Sequence, residues 1–131
     1  MNSGISFENK YFKQTVNIHL NNHDWMPIGT TTNPLRANYD GGGYEIIDLK
    51  ANVTQQNENS GLFGYADGNI VIKNIHVSGD VKSKYKAGGI CGGMSKYEAT
   101  TTGVISGCSF KGSVEASYAG GGICGEAEGK T

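Results

Sequence analysis

Apolar positions in this chain do not recur every three or four residues; they alternate over short runs and then return at long intervals. Val16, Ile18 and Leu20 stand two apart with Asn17 and His19 between them, the period of a half-buried strand. Two later segments, Ile70 to Val81 and Gly103 to Val114, carry one pattern written twice. Ile72 and Ile105, Ile75 and Cys108, Val77 and Phe110, Gly79 and Gly112, and Val81 and Val114 are each 33 residues apart. Glycine-flanked tetrads accompany them: Gly61-Leu62-Phe63-Gly64, Gly89-Ile90-Cys91-Gly92 and Gly122-Ile123-Cys124-Gly125. The last two tetrads are again 33 apart and the first two 28, so one connection changes length without disturbing the pattern. Self-similarity at a period of roughly 20–50 residues marks a stacked repeat.

The pattern predicts strands of three or four residues between Gly or Asn corners, and no helix. Asp40-Gly41 and Asp67-Gly68 each lead onward into another repeat strand, so neither closes a hairpin. Equivalent residues at long intervals call for parallel pairing of each coil with the next, a β-helix with side chains in columns. Stacking satisfies backbone groups that a lone coil would expose, at a spacing of about 4.8 Å. An upstream segment, Tyr44 to Ala51, matches at an offset of 26, which places Ile46 over Ile72, Leu49 over Ile75, Ala51 over Val77 and Asp48 over Asn74. Phe7, Tyr11 and Phe12 are expected to cover one end of the stack. Asn21 to Asp24 reads as a turn, and Thr30 to Pro34, Gln55 to Ser60 and Lys96 to Thr102 as loops. Asp40-Gly41-Gly42-Gly43 reads as a tight corner with Asp40 capping it.

At 131 residues the chain has the length of one domain, or of a piece of a longer solenoid. Net charge is −1 and Arg36 is the single arginine, so no basic patch awaits phosphates and nucleic acid is not expected as a partner. No apolar run approaches the roughly 18–20 residues of a membrane helix. Met1-Asn2-Ser3-Gly4 lacks the blocks of a signal peptide. Three cysteines fit no metal spacing and specify no compartment.

The tetrads, together with Lys73-Asn74-Ile75-His76-Val77 and Gly79-Asp80-Val81, resemble GLUG-type repeats. Tyr11-Phe12, Ile18-His19-Leu20, Trp25-Met26-Pro27-Ile28-Gly29 and Tyr39 to Ile46 resemble the coils that commonly precede them, so the resemblance runs from about Phe7 onward. It departs at Asn17 and His19, where acidic residues are usual, and at Cys91 and Cys124, where Val is usual. The resemblance implies a right-handed parallel β-helix in large secreted or surface-anchored bacterial proteins, including adhesin-like proteins and the non-catalytic part of some immunoglobulin-A-cleaving metallopeptidases. It brings no catalytic residues.

The fold class expected is therefore all-β, a right-handed parallel β-helix (solenoid) of about four coils. A capping coil spans 1–24, a second coil 25–59, the GLUG-like repeats 60–125 and a tail 126–131. A final coil without a partner strand leaves an open edge, so that end is expected to meet another copy or to be covered in a longer parent. Cys91 and Cys124 share a column with Phe63, either as buried thiols or as a disulfide at about 5 Å between Cα atoms. His19, His23 and His76 share no column and suggest no metal. Asp40, Asp48, Asp67 and Asp80 do not cluster as the acids of a carbohydrate-active enzyme would. Gly41-Gly42-Gly43 lacks the Lys-Ser/Thr of a phosphate loop, Asn52-Val53-Thr54 is a formal glycosylation sequon, and Thr30 to Thr32 and Thr100 to Thr102 make no recurring threonine array. Tyr85 and Tyr118, 33 apart, form one column just before two of the Gly-Gly corners. They are the candidate ligand contacts, with shielding of the core as the alternative.

The function expected is a non-catalytic structural or adhesive segment of a bacterial cell-surface or secreted protein, binding host glycan or protein and requiring no cofactor. The alternative is an accessory domain of a secreted enzyme. Extracellular or surface location is expected, with export signal and anchor supplied from outside this segment.

Overall fold

The computed structural model describes residues 8–95 and 102–127. Among them the chain is all-β and every strand pairing is parallel. The strands are β1 (Tyr11–Lys13), β2 (Ile18–His19), β3 (Asn38–Asp40), β4 (Glu45–Val53), β5 (Phe63–Asp67), β6 (Val71–Lys73) and β7 (His76–Ser83). They continue with β8 (Lys86–Gly88), β9 (Cys91–Ser95), β10 (Val104–Ser106), β11 (Ser109–Ala116), β12 (Ala119–Gly121) and β13 (Cys124–Ala127). Four sheets form, ordered β1-β3-β6-β10, β2-β4-β7-β11, β8-β12 and β5-β9-β13. The chain visits them in one order, β6-β7-β8-β9 and then β10-β11-β12-β13, so each residue of the later pass lies beside its equivalent in the earlier one.

The offset of 33 holds wherever these two passes pair: Ile105 on Ile72, Phe110 on Val77, Gly112 on Gly79, Val114 on Val81. The offset of 26 does not hold. Ile46 pairs with Val77, Leu49 with Gly79 and Ala51 with Val81, while Ile72 lies on Tyr39. Two insertions explain the correction. The corner between Asp40 and Glu45 is longer than that between Lys73 and His76, and β4 carries one extra residue between Ile46 and Leu49. That extra residue makes a β-bulge, with Asp48 at φ 62°. Without it Leu49 would point outward, because a one-residue slip reverses every side chain. With it, Ile46, Leu49 and Ala51 all face the core.

Strand lengths also differ from expectation. β4, β7 and β11 run for nine, eight and eight residues rather than three or four, and β7 and β11 continue through Gly79 and Gly112 instead of ending there. Both take φ near +145° (148° and 144°), and a Cβ on Gly79 would sit 2.1 Å from the Leu49 carbonyl oxygen. The true corners lie at Gly41-Gly42-Gly43, Asn74 and Gly107, where φ turns positive at Gly42, Gly43, Asn74 and Gly107.

The core runs between the sheets as Leu35, Leu49, Leu62, Phe63, Ile70, Ile72, Ile75, Val81 and Ile90, all buried. At the first pass it is thinner. Phe7 lies outside the described residues. Phe12 is in register with Tyr39, which in turn pairs with the buried Ile72, and so lies on the core side of β1 at the end of the stack. Tyr11 does not cover the stack, being 81% exposed. Val16 is likewise exposed, while Ile18 and Leu20 turn inward. With Trp25, Ile28, Tyr39, Ile46, Leu62 and Phe63 they line an apolar cavity of about 230 Å³. Trp25 is held there by its indole N–H, which donates to the Leu62 carbonyl at 3.0 Å. Between the named strands, isolated parallel bridges continue the stacking, Asp24 to Lys50 and Ser60 to Ala87.

Candidate functional site

Tyr85 and Tyr118 stand immediately before β8 and β12, which pair in register from Lys86 and Ala119. The Tyr118 N–H donates to the Tyr85 carbonyl at 2.9 Å, so the two backbones are stacked at this point. Their rings follow, with centroids 5.1 Å apart and planes tilted by 35°. The turn that presents Tyr85 is set by Ser83, whose buried side-chain oxygen accepts from the Tyr85 N–H at 2.9 Å and whose hydroxyl donates to the Glu58 carbonyl at 2.9 Å. One pass earlier the longer connection from Thr54 to Asn59 occupies the equivalent place, so the ladder of rings begins at Tyr85. Tyr118 is 70% exposed and offers a whole ring face to solvent; Tyr85 is half-buried behind it.

Two charged groups complete the patch. Lys86 Nζ lies 4.8 Å from the Tyr85 ring centroid and 5.7 Å from that of Tyr118, within reach of both π faces. It is also paired with Glu126 Oε1 on β13. The Lys86 side chain is only 14% exposed. Burial alone would lower its pKa, but hydrogen bonds to Glu126 and Tyr85, with the Glu126 charge, carry it above the ordinary lysine value. Lys86 therefore stays charged and oriented beneath the rings. The arrangement can stack a flat apolar face on Tyr118 and hydrogen-bond a neighbouring polar edge, which is what a sugar ring or a peptide presents.

Lys86 and Glu126 were not legible from the column pattern. The pair is 40 residues apart in sequence and crosses from one sheet to another, so no repeat offset points to it. The outer face of β4, β7 and β11 is a second feature without a signal in the repeat. Lys50, Asn52, Asp80, Lys82 and Ser113, with Asn22, line an open polar groove of about 600 Å³ there. Its charges are largely matched: Lys50 to Asp24 at 3.2 Å, Lys82 to Glu115 at 3.6 Å, and the Ser113 hydroxyl donating to Asp80 at 2.6 Å.

The remaining candidates are held apart. Asp40 accepts from the Gly42 N–H at 2.8 Å, the corner cap expected of it, and this bond lowers its pKa. Asp48 sits on the β4 bulge rather than over Asn74, which pairs with the Gly41 corner. Asp67 is nearly buried and takes a two-point ion pair from Arg36, at 2.6 and 3.3 Å. His19 and His23 are exposed, and His76 Nδ1 meets the Ser109 hydroxyl at 2.6 Å. Among the described residues no group of three or more His, Cys, Asp or Glu side chains is placed to hold a metal ion.

Cys91 and Cys124 are in register on β9 and β13, with Phe63 beside Cys91 on β5. All three cysteines carry free thiols. The contact between Cys91 and Cys124, followed by burial, pushes the Cys91 thiol well above its ordinary value, while the hydrogen bond from Cys91 lowers Cys124. Cys108 lies in a different column, and burial raises it.

The chain matches no family model, no curated protein and no solved structure at a significant level.

Proposed function

We propose that this chain is a right-handed parallel β-helix of about four coils, built from GLUG-type repeats. We propose further that it serves as a non-catalytic structural or adhesive segment of a bacterial cell-surface or secreted protein. Its ligand-contacting surface is the Tyr85–Tyr118 ladder, and its ligand class is host glycan or protein. The observation that carries the reading is the Tyr118 ring, open to solvent and stacked on Tyr85 over a fixed, charged Lys86. A large exposed ring on a rigid support loses little freedom on binding, and that favours recognition of flat partners. Dispersal of the carboxylates, with Asp40 tied to its corner and Asp67 to Arg36, favours a passive role over acid–base chemistry. The outward edges of β10 and β11 offer backbone groups to a further parallel strand, from another copy or from a longer parent.

A glycan-array screen of the folded segment tests the reading, with Tyr118→Ala as the control. Retained fold with binding lost in Tyr118→Ala supports it. Unchanged binding in Tyr118→Ala, with a lowered melting temperature, assigns the rings to core shielding instead.

A further inference from the structure

On the reading that the Tyr85–Tyr118 ladder is the contacting surface, the charges around it decide what chemistry it can hold. Lys86 Nζ lies 4.8 Å from the Tyr85 ring centroid and 5.7 Å from that of Tyr118. A cationic ligand brought to these rings therefore meets the repulsion of a resident cation. An anionic ligand fares no better. The Lys86 ammonium is paired with Glu126, and its side chain is 14% exposed against 34% for Glu126, so the carboxylate is the charge that reaches solvent there. To use Lys86, a ligand carboxylate or sulfate would have to displace Glu126 and strand a partly buried charge.

We propose that the patch selects neutral glycans, with an uncharged hexose stacked on Tyr118 and its hydroxyls donating to Glu126. Tyr118 offers an open ring, and Glu126 offers oxygens that only accept hydrogen bonds; both border Lys86 and so the same spot. A pyranose matches the two together, with an apolar C–H face for the ring and hydroxyl donors at its rim for the carboxylate. A peptide matches them less well. An apolar side chain would fill the ring face but take water from the carboxylate without replacing its hydrogen bonds, and a basic one would face Lys86. The Lys86–Glu126 pair is then a filter, set against acidic sugars by the exposed carboxylate and against cationic peptides by the ammonium.

The test is an array of hexose-terminated glycans, the same glycans capped by sialic acid, uronic acid or sulfate, and lysine-rich peptides. It is probed with the wild-type chain, Glu126→Gln and Tyr118→Ala, each checked for fold by circular dichroism. Wild type is expected to bind uncapped glycans about tenfold or more over capped ones, and to ignore the peptides. Glu126→Gln keeps the side-chain size and an acceptor for Lys86 but leaves the ammonium uncancelled, so capped glycans are expected to gain about tenfold relative to uncapped ones. Wild type that favours capped glycans or captures the peptides through Tyr118, or Glu126→Gln with an unchanged preference, overturns neutral selection and leaves the ladder as the surface. No glycan bound, or glycan binding indifferent to Tyr118→Ala, overturns the ladder itself and neutral selection with it.

Discussion

A single corner shows how residue chemistry supports the fold. Asp40 is held charged by the Gly42 N–H, so its folded-state pKa lies below its unfolded one. The charged form therefore stabilises the protein above the ordinary carboxylate range, and that contribution is lost as pH falls through the lowered value. Asp40→Asn keeps an acceptor and removes the charge. Urea midpoints of the two proteins are expected to differ near neutral pH and to converge in acid; a gap independent of pH would contradict the assignment. At the equivalent corner one pass on, Asn74 holds φ at 56°. Asn74→Ala forces an ordinary side chain into that region, and a loss of about 1 kcal/mol is expected in the same urea measurement. Ile72 is buried on all sides between Tyr39 and Ile105. Ile72→Ala is expected to cost about 2–5 kcal/mol, from lost burial together with the cavity left behind.

Elements depend on positions where no side chain fits. Gly79 and Gly112 pair within β7 and β11, and a Cβ on Gly112 would fall 1.8 Å from the Gly79 carbonyl oxygen. Gly79→Ala combines that crowding, against Leu49, with an unfavourable φ. Destabilisation of about 2 kcal/mol or more is expected, read as a drop in melting temperature without a change of sheet content. These glycines recur in sequence as part of the 33-residue pattern, so their equivalence was legible. Their role was not. A glycine in an apolar run reads equally as a strand end or as a point where a neighbouring backbone comes close, and the packed bulge of β4 decides for the second.

For the whole molecule, long-range parallel pairing means that stability is spread unevenly. β4, β7 and β9 are paired on both sides, whereas β10 to β13 are paired on one side only among the described residues. Hydrogen exchange is expected to be slowest in β4, β7 and β9 and faster in β10 and β11, since exposed edges open locally before the core does. Uniform protection across all four sheets would contradict a graded stack. The candidate patch sits on the less protected side, where Tyr118 and Glu126 belong to the outer pass and Tyr85 and Lys86 to the inner one. Its geometry therefore depends on the outer pass being docked.

Periodicity alone determined the all-β class, the parallel pairing of Ile72 with Ile105 and of Cys91 with Cys124, and the Tyr85–Tyr118 ladder, because equal spacing places equal residues side by side. Tertiary structure decided the register of the earlier pass. Local insertions at the Gly41 corner and at Asp48 shift the count, and only burial of Ile46, Leu49 and Ala51 shows how the strand realigns. It likewise decided that Lys86 and Glu126 join the tyrosines, for a contact between sheets depends on how the chain closes around its core and leaves no trace in spacing along one strand.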